Sequence, residues 1–222
     1  MLIRRKRQLG CDFMTAIWKT AGLGLLAAAV LSGCVPSAQL MTLGQPDTKL
    51  TARDREMLAL APQEEWQMPI DRQEVSDPTG QAPGTIVIQT GSKDLYYVLP
   101  GHKAMKYKVA VGSEAYGWTG HARVGRTAEW PQWMPTASIM ERWPEFRAYI
   151  AHGPLAGAYD NPLGARALYL YQGNSDTLYR IHGTNEPSEI GQAVSSGCIR
   201  MRDLDVIDLY NRVHVGTPVI VE

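Results

Sequence analysis

Paired cysteines, long apolar runs, internal repeats and net charge are all missing from this chain. Its three cysteines, at positions 11, 34 and 198, are far apart, and its five histidines are scattered, so the close ligand spacing of a zinc site is absent. No glycine-rich phosphate loop follows a strand pattern, and neither a metal nor a cofactor is expected. Lys plus Arg and Asp plus Glu both number 22. From Cys34 onward 17 basic residues face 21 acidic ones, and so weakly acidic a body leaves no electrostatic footprint for nucleic acid. The apolar run Ala21 to Leu31 falls short of the roughly 20 residues that a spanning helix needs. What is present is globular in kind: 45% hydrophobic and 20% charged residues over 222 positions, enough for one ordinary domain with additions.

The basic excess sits at the start. Arg4-Arg5-Lys6-Arg7 precedes the short apolar run, which ends in Leu31-Ser32-Gly33-Cys34. A charged segment, a short apolar core and small residues are the parts of a signal peptide. Leu-Ser-Gly-Cys looks like a lipobox, so residues 1–33 are expected to be a lipoprotein signal peptide and Cys34 the lipidated residue. The alternative is an uncleaved anchor, and either arrangement puts the body outside the cytoplasm. Two or three acyl chains hold a protein on a membrane durably. Val35, not Asp, follows the cysteine, which leans toward the outer membrane.

Residues 34–83 carry six prolines and one organised piece, Leu50 to Leu60, readable as a short helix with Thr51 as N-cap. The rest reads as a flexible tether. A domain over 84–222 follows. Thr85 to Thr90 and Leu95 to Leu99 predict a hairpin, Lys106 to Val111 a third strand, and Ala167 to Tyr171 with Thr177 to Ile181 a second hairpin. Asp203 to Val213 has helical spacing, and Pro218 to Val221 predicts a last strand. The expectation is a mainly β fold, a sandwich or partly closed barrel with one or two short helices. Between the hairpins, Gly112 to Arg166 holds Trp118, Trp130, Trp133 and Trp143 among many prolines and glycines. A loop of that length reads as a lid that grips a ligand, or as a plug for the open end of the sheet.

The chain is organised around Ile181 to Arg202. Cys198 follows Ser195-Ser196-Gly197 and precedes Ile199-Arg200; His182-Gly183 lies sixteen residues upstream. With Cys11 in the leader and Cys34 under lipid, Cys198 has no disulfide partner. A lone structural thiol is the bland alternative, but a thiol and an imidazole across a Gly- and Ser-rich loop are a nucleophile and its base. Gly197 lets the chain turn closely, and its N–H and that of Cys198 are candidate oxyanion donors, with Ser196 as a weaker side-chain donor. Arg200 either grips a substrate carboxylate or braces the loop through Asp203 or Asp205, bracing being favoured. His102, His121, His152 and His214 lack motif context.

This stretch resembles the catalytic motif of the YkuD-type (ErfK/YbiS-like) L,D-transpeptidases, over roughly Gly84 to Glu222. The shared pattern is His182-Gly183-Thr184, then Ser195-Ser196-Gly197-Cys198-Ile199-Arg200. Many members carry His where this chain has Ser196, which leaves His182 as the base. The resemblance implies that the Gly183 carbonyl orients His182, and that Asn161-Pro162-Leu163-Gly164 lines the groove, with Ser195, Asn161 and Gly164 joining Arg200 in substrate contact or bracing. It further implies a lipid-anchored enzyme of the cell envelope that acts on peptidoglycan stem peptides. Its Cys198 would attack the bond before the terminal D-Ala of a tetrapeptide stem, giving a thioester and then a 3-3 crosslink. Trimming by water and attachment of a protein lysine are the alternatives within the family, and a wall-binding lipoprotein without catalysis is the alternative outside it.

Overall fold

The computed structural model describes residues 48–62, 72–113, 117–151, 153–195 and 197–222. The expected leader, Cys34, His152 and Ser196 lie outside the described residues, as does the side chain of Ser195.

The chain opens with helix α1 (Ala52–Leu58) and runs through strands β1 (Gln73–Ser76), β2 (Ile86–Gln89), β3 (Asp94–Leu99), β4 (Lys103–Lys108), β5 (Val111–Gly112) and β6 (Gly120–Glu129). Two short helices follow, α2 (Ala137–Arg142) and α3 (Phe146–Tyr149). Then come β7 (Arg166–Gln172), β8 (Ser175–His182), β9 (Ala193–Ser195), β10 (Ile199–Arg200), helix α4 (Asp203–Arg212) and β11 (Pro218–Val221). Nine strands form one sheet in the order β1-β4-β3-β2-β11-β6-β7-β8-β10, and β5 pairs with β9 apart from it. The fold is mainly β, as expected, but the sheet is open, with β1 and β10 as its ends. Among the described residues of 84–222, three short α-helices stand where one or two were expected.

Alternation builds the core. Ile86 and Ile88 on β2, Leu168 and Leu170 on β7, Ile181 on β8 and Val219 and Val221 on β11 are all buried. Val206, Ile207 and Leu209 of α4 close over them, because that helix packs on β7 and β8. Each such side chain contributes about 1.5–3 kcal/mol on burial. One polar link crosses this core: the Tyr107 hydroxyl donates to Asp208 at 2.5 Å.

Two expectations are corrected. The loop expected over Gly112 to Arg166 contains the ten-residue β6, which pairs with both β11 and β7. The helix expected over Leu50 to Leu60 with Thr51 as its N-cap is α1, whereas Gln73–Ser76, expected as tether, forms β1. β1 pairs with β4, and α1 is anchored by a buried carboxylate. Thr51 and Asp54 form a capping box. Asp54 also takes the Trp130 indole N–H at 2.8 Å and both terminal nitrogens of Arg166 at 2.8 Å each. The Asp54 and Arg166 side chains are 0% and 1% exposed. Burial pulls the Asp54 carboxyl up, but its bonds to Arg166, Thr51 and Trp130 outweigh that and hold it below the usual range.

Candidate active site

Strand register decides which residues meet. Across β7, β8 and β10, Leu168, Ile181 and Ile199 form a row that faces the core. Pleating turns the flanking rows to the other face. One of these is Ala167–His182–Arg200. In the other, Tyr169 pairs with Arg180, and one step back along the parallel β8 and β10 brings Cys198 beside Arg180. The predicted base ends β8 and the predicted nucleophile immediately precedes β10, its neighbour, two positions out of register.

His182 is held from several sides. Its Nδ1 lies 2.6 Å from the Gly183 carbonyl, and a carbonyl only accepts, so Nδ1 carries the proton and Nε2 keeps its lone pair. The Gly183 N–H donates to the Arg166 carbonyl at 3.0 Å. Asp203 Oδ1 accepts from Ala165 N at 2.9 Å and from Thr184 N at 3.2 Å, stitching the chain after His182 to the start of β7. Gly183 and Gly164 flank that carboxylate so closely that a Cβ on either would lie 2.0 or 2.1 Å from Oδ1. Gly164 also has φ +58. Only glycine fits there.

Cys198 is half-buried. Its thiol points to the Leu178 carbonyl at 4.0 Å, and Leu178 occupies a bulge of β8 with φ +63. Burial pushes the thiol above its ordinary value, against downward pulls from the Arg180 backbone and the charges of Arg180 and Arg200. Burial pushes His182 down to about 3, and Arg200 and Arg180 act in the same direction. Both shifts favour neutral forms. Both directions suit a His182 that takes the Cys198 proton as general base, the role expected from the sequence.

The two residues line one cavity of about 350 Å³, walled by Trp133, Ile139, Trp143, Phe146, Pro162 and Leu163, with Asp160, Asn185, Glu186 and Arg200 among its polar groups. The predicted tryptophans divide. Trp133 and Trp143 face the cavity, Trp133 edge-on to Phe146. Trp130 is buried against Asp54, and Trp118 stacks on Tyr179.

Arg200 braces, but through other partners than sequence suggested. Glu186 holds it at 3.1 Å and Glu189 bonds it too. Asp205 instead pairs with Arg202. Asn161 is buried and braces its own loop, donating to the carbonyls of Leu155 and Ala156 and accepting from Leu163 N. Gly197 is buried with φ +122 and passes close to Gly112. His102, His121 and His214 do not line the cavity. Sequence reasoning missed the role of Asp203; the available signal was an acid heading the helix that follows the motif.

Residues 83–221 match the family described as YkuD, L,D-transpeptidase catalytic domain. The chain is 34% identical over 143 residues to the probable L,D-transpeptidase ErfK/SrfK of Escherichia coli strain K12, covering 60% of this chain and 42% of that protein. It is 34% identical over 142 residues to the putative L,D-transpeptidase YkuD of Bacillus subtilis strain 168, covering 64% and 77%. A crystal structure from Brucella melitensis, described as a probable carnitine operon oxidoreductase, is 42% identical and covers 72% of this chain and 98% of that one, with a TM-score of 0.48. This chain thus spans less than half the length of ErfK/SrfK.

Proposed function

Because the chain belongs to the YkuD family of L,D-transpeptidase catalytic domains, we propose that it is a cysteine acyltransferase acting on peptidoglycan stem peptides. The observation that carries the reading is the shared cavity, lined both by Cys198 and by a His182 whose Nδ1 is fixed on the Gly183 carbonyl. As a tetrapeptide stem binds, the Cys198 thiol gives its proton to Nε2 of His182 and the sulfur attacks the carbonyl before the terminal D-Ala. The N–H groups of Gly197 and Cys198 receive the developing oxyanion, and the hydroxyl of Ser196 is the further donor that the sequence suggests. The C–N bond breaks, the D-Ala amine takes the proton from His182, and a thioester remains. An acceptor amine then surrenders a proton to His182 and attacks the thioester, and Cys198 regains its proton. With diaminopimelate as acceptor, the product is a 3-3 crosslink.

Leu-Ser-Gly-Cys supports a lipid anchor at Cys34 and a place in the cell envelope, facing the wall from the outer membrane. The test of the reaction is incubation with tetrapeptide stems, read by mass spectrometry. Release of D-Ala and a mass increment on Cys198, both abolished in Cys198→Ala, are expected. Intact stems and an unmodified wild-type protein would refute the acyl transfer and leave a wall-binding module.

A further inference from the structure

A carboxylate-bearing substrate calls for a cation near the nucleophile, yet Arg200 is already held by Glu186 and Glu189. Another candidate lies along the row of Cys198 itself. Arg126 on β6, Tyr169 on β7 and Arg180 on β8 are successive register partners, and the next step across the sheet reaches Cys198 beside Arg180. Strands lie about 4.8 Å apart, so this row carries positive charge from one strand spacing beyond the nucleophile out to three. Arg126 Cζ is 3.4 Å from the centre of the Tyr169 ring, and Arg180 Cζ is 4.4 Å from the same centre. One carboxylate offsets these two cations: Asp176 takes both terminal nitrogens of Arg180, at 2.7 and 2.9 Å. Among the described residues no carboxylate pairs with Arg126, and its side chain is exposed. The row keeps a net positive charge on an aromatic platform, with Arg126 exposed to solvent. None of the three residues lines the aromatic cavity, whose own polar wall includes Asp160 and Glu186. The nucleophile is therefore flanked by a cavity wall of mixed charge, where Arg200 pairs with Glu186, and, separately, by a basic row.

We propose that Arg126, seated on Tyr169 and backed by Arg180, is a subsite for a carboxylate of the peptide stem. The assignment rests on the acyl-transfer reading above and goes beyond it by naming the chemistry recognised outside the cavity. A stem peptide carries several carboxylates, and a bidentate guanidinium contact is the interaction that distinguishes carboxylate from carboxamide.

The experiment is a coupling cycle between protein and ligand. The tetrapeptide stem, and forms of it with each carboxylate amidated in turn, are titrated calorimetrically into Cys198→Ala protein, with and without Arg126→Gln. One amidation is expected to weaken binding about tenfold with Arg126 present, the scale of a charge-assisted hydrogen bond, and to have no effect once Arg126 is Gln. Arg126→Lys is expected to fall between, since an ammonium keeps the charge and loses the fork. Arg126 is exposed, so its replacement leaves the fold intact, and iodoacetamide alkylation of Cys198 in the Arg126→Gln protein is expected at the wild-type rate. Equal amidation losses with and without Arg126, for every carboxylate, overturn the subsite whatever the turnover. Coupling without D-Ala release by the wild-type protein upholds the subsite and overturns the transferase reading.

Discussion

Replacing Asp54 by Ala removes one carboxylate from a place where four donors converge on it. Arg166 loses the partner of both its terminal nitrogens, Trp130 loses its indole acceptor, and the N-cap of α1 loses half of its box. The Arg166 side chain is 1% exposed, so its charge has no water to turn to. Breaking a buried pair by deleting one partner costs about 3–5 kcal/mol, a large share of the roughly 5–15 kcal/mol that holds a typical domain together. Urea denaturation of wild-type and Asp54→Ala protein, followed by tryptophan emission, measures the difference. A second variant separates charge from packing: Asp54→Leu with Arg166→Met leaves no unpaired ion and is expected to recover most of the loss. The Arg166 carbonyl also receives the Gly183 N–H, one bond behind His182, so acylation of Cys198 is expected to slow in Asp54→Ala under fully native conditions. A stability loss below about 1 kcal/mol would refute the argument, because an isolated buried guanidinium cannot be so inexpensive.

Three further outcomes are expected. His182 binds its proton in the unfolded chain near its ordinary 6.5 but only near 3 when folded, so the unfolded state holds the extra proton between those values. Stability should fall as pH drops from about 6.5 toward 3, by up to about 1.4 kcal/mol per unit, and His182→Gln should flatten that slope in denaturation curves measured at several pH values. Gly164→Ala sets a methyl 2.1 Å from Asp203 Oδ1 and 2.5 Å from Thr184 N at φ +58; a loss of at least about 2 kcal/mol is expected, with slower labelling of Cys198 by an acylating antibiotic, and wild-type behaviour would contradict the close approach. If Cys34 carries lipid, fatty-acid labelling should mark the wild-type protein and vanish in Cys34→Ala, which should then leave the membrane fraction; equal labelling of both refutes the anchor.

Much of the site was legible because its parts are local. The hairpin signals around β2–β3 and β7–β8 set His182 at a strand end, and the motif itself named Cys198. The rest depends on distant pairing. β6 reads Gly120-His121-Ala122-Arg123-Val124-Gly125-Arg126-Thr127-Ala128-Glu129, with Val124 alone buried, so no alternation of apolar residues announces it; its strand state comes from β11 and β7 on either side. α1 was visible as a helix, but its attachment was not, because Asp54 and Arg166 meet across 112 positions. Arg200 was matched to acids just downstream, whereas its actual partners lie in the loop between His182 and Cys198. Proximity in sequence misled where the chain doubled back.

The oxygen that orients His182 belongs to the main chain, and that has a consequence for how the site endures. A carboxylate in that post would take up a proton in mild acid and let the ring swing; an amide oxygen does neither. Nor can it be deleted by exchanging one amino acid for another, since every residue brings the same oxygen. Evolution can reshape the walls around this thiol while the group that steers its base stays beyond the reach of point mutation, vulnerable only to a bend in the backbone.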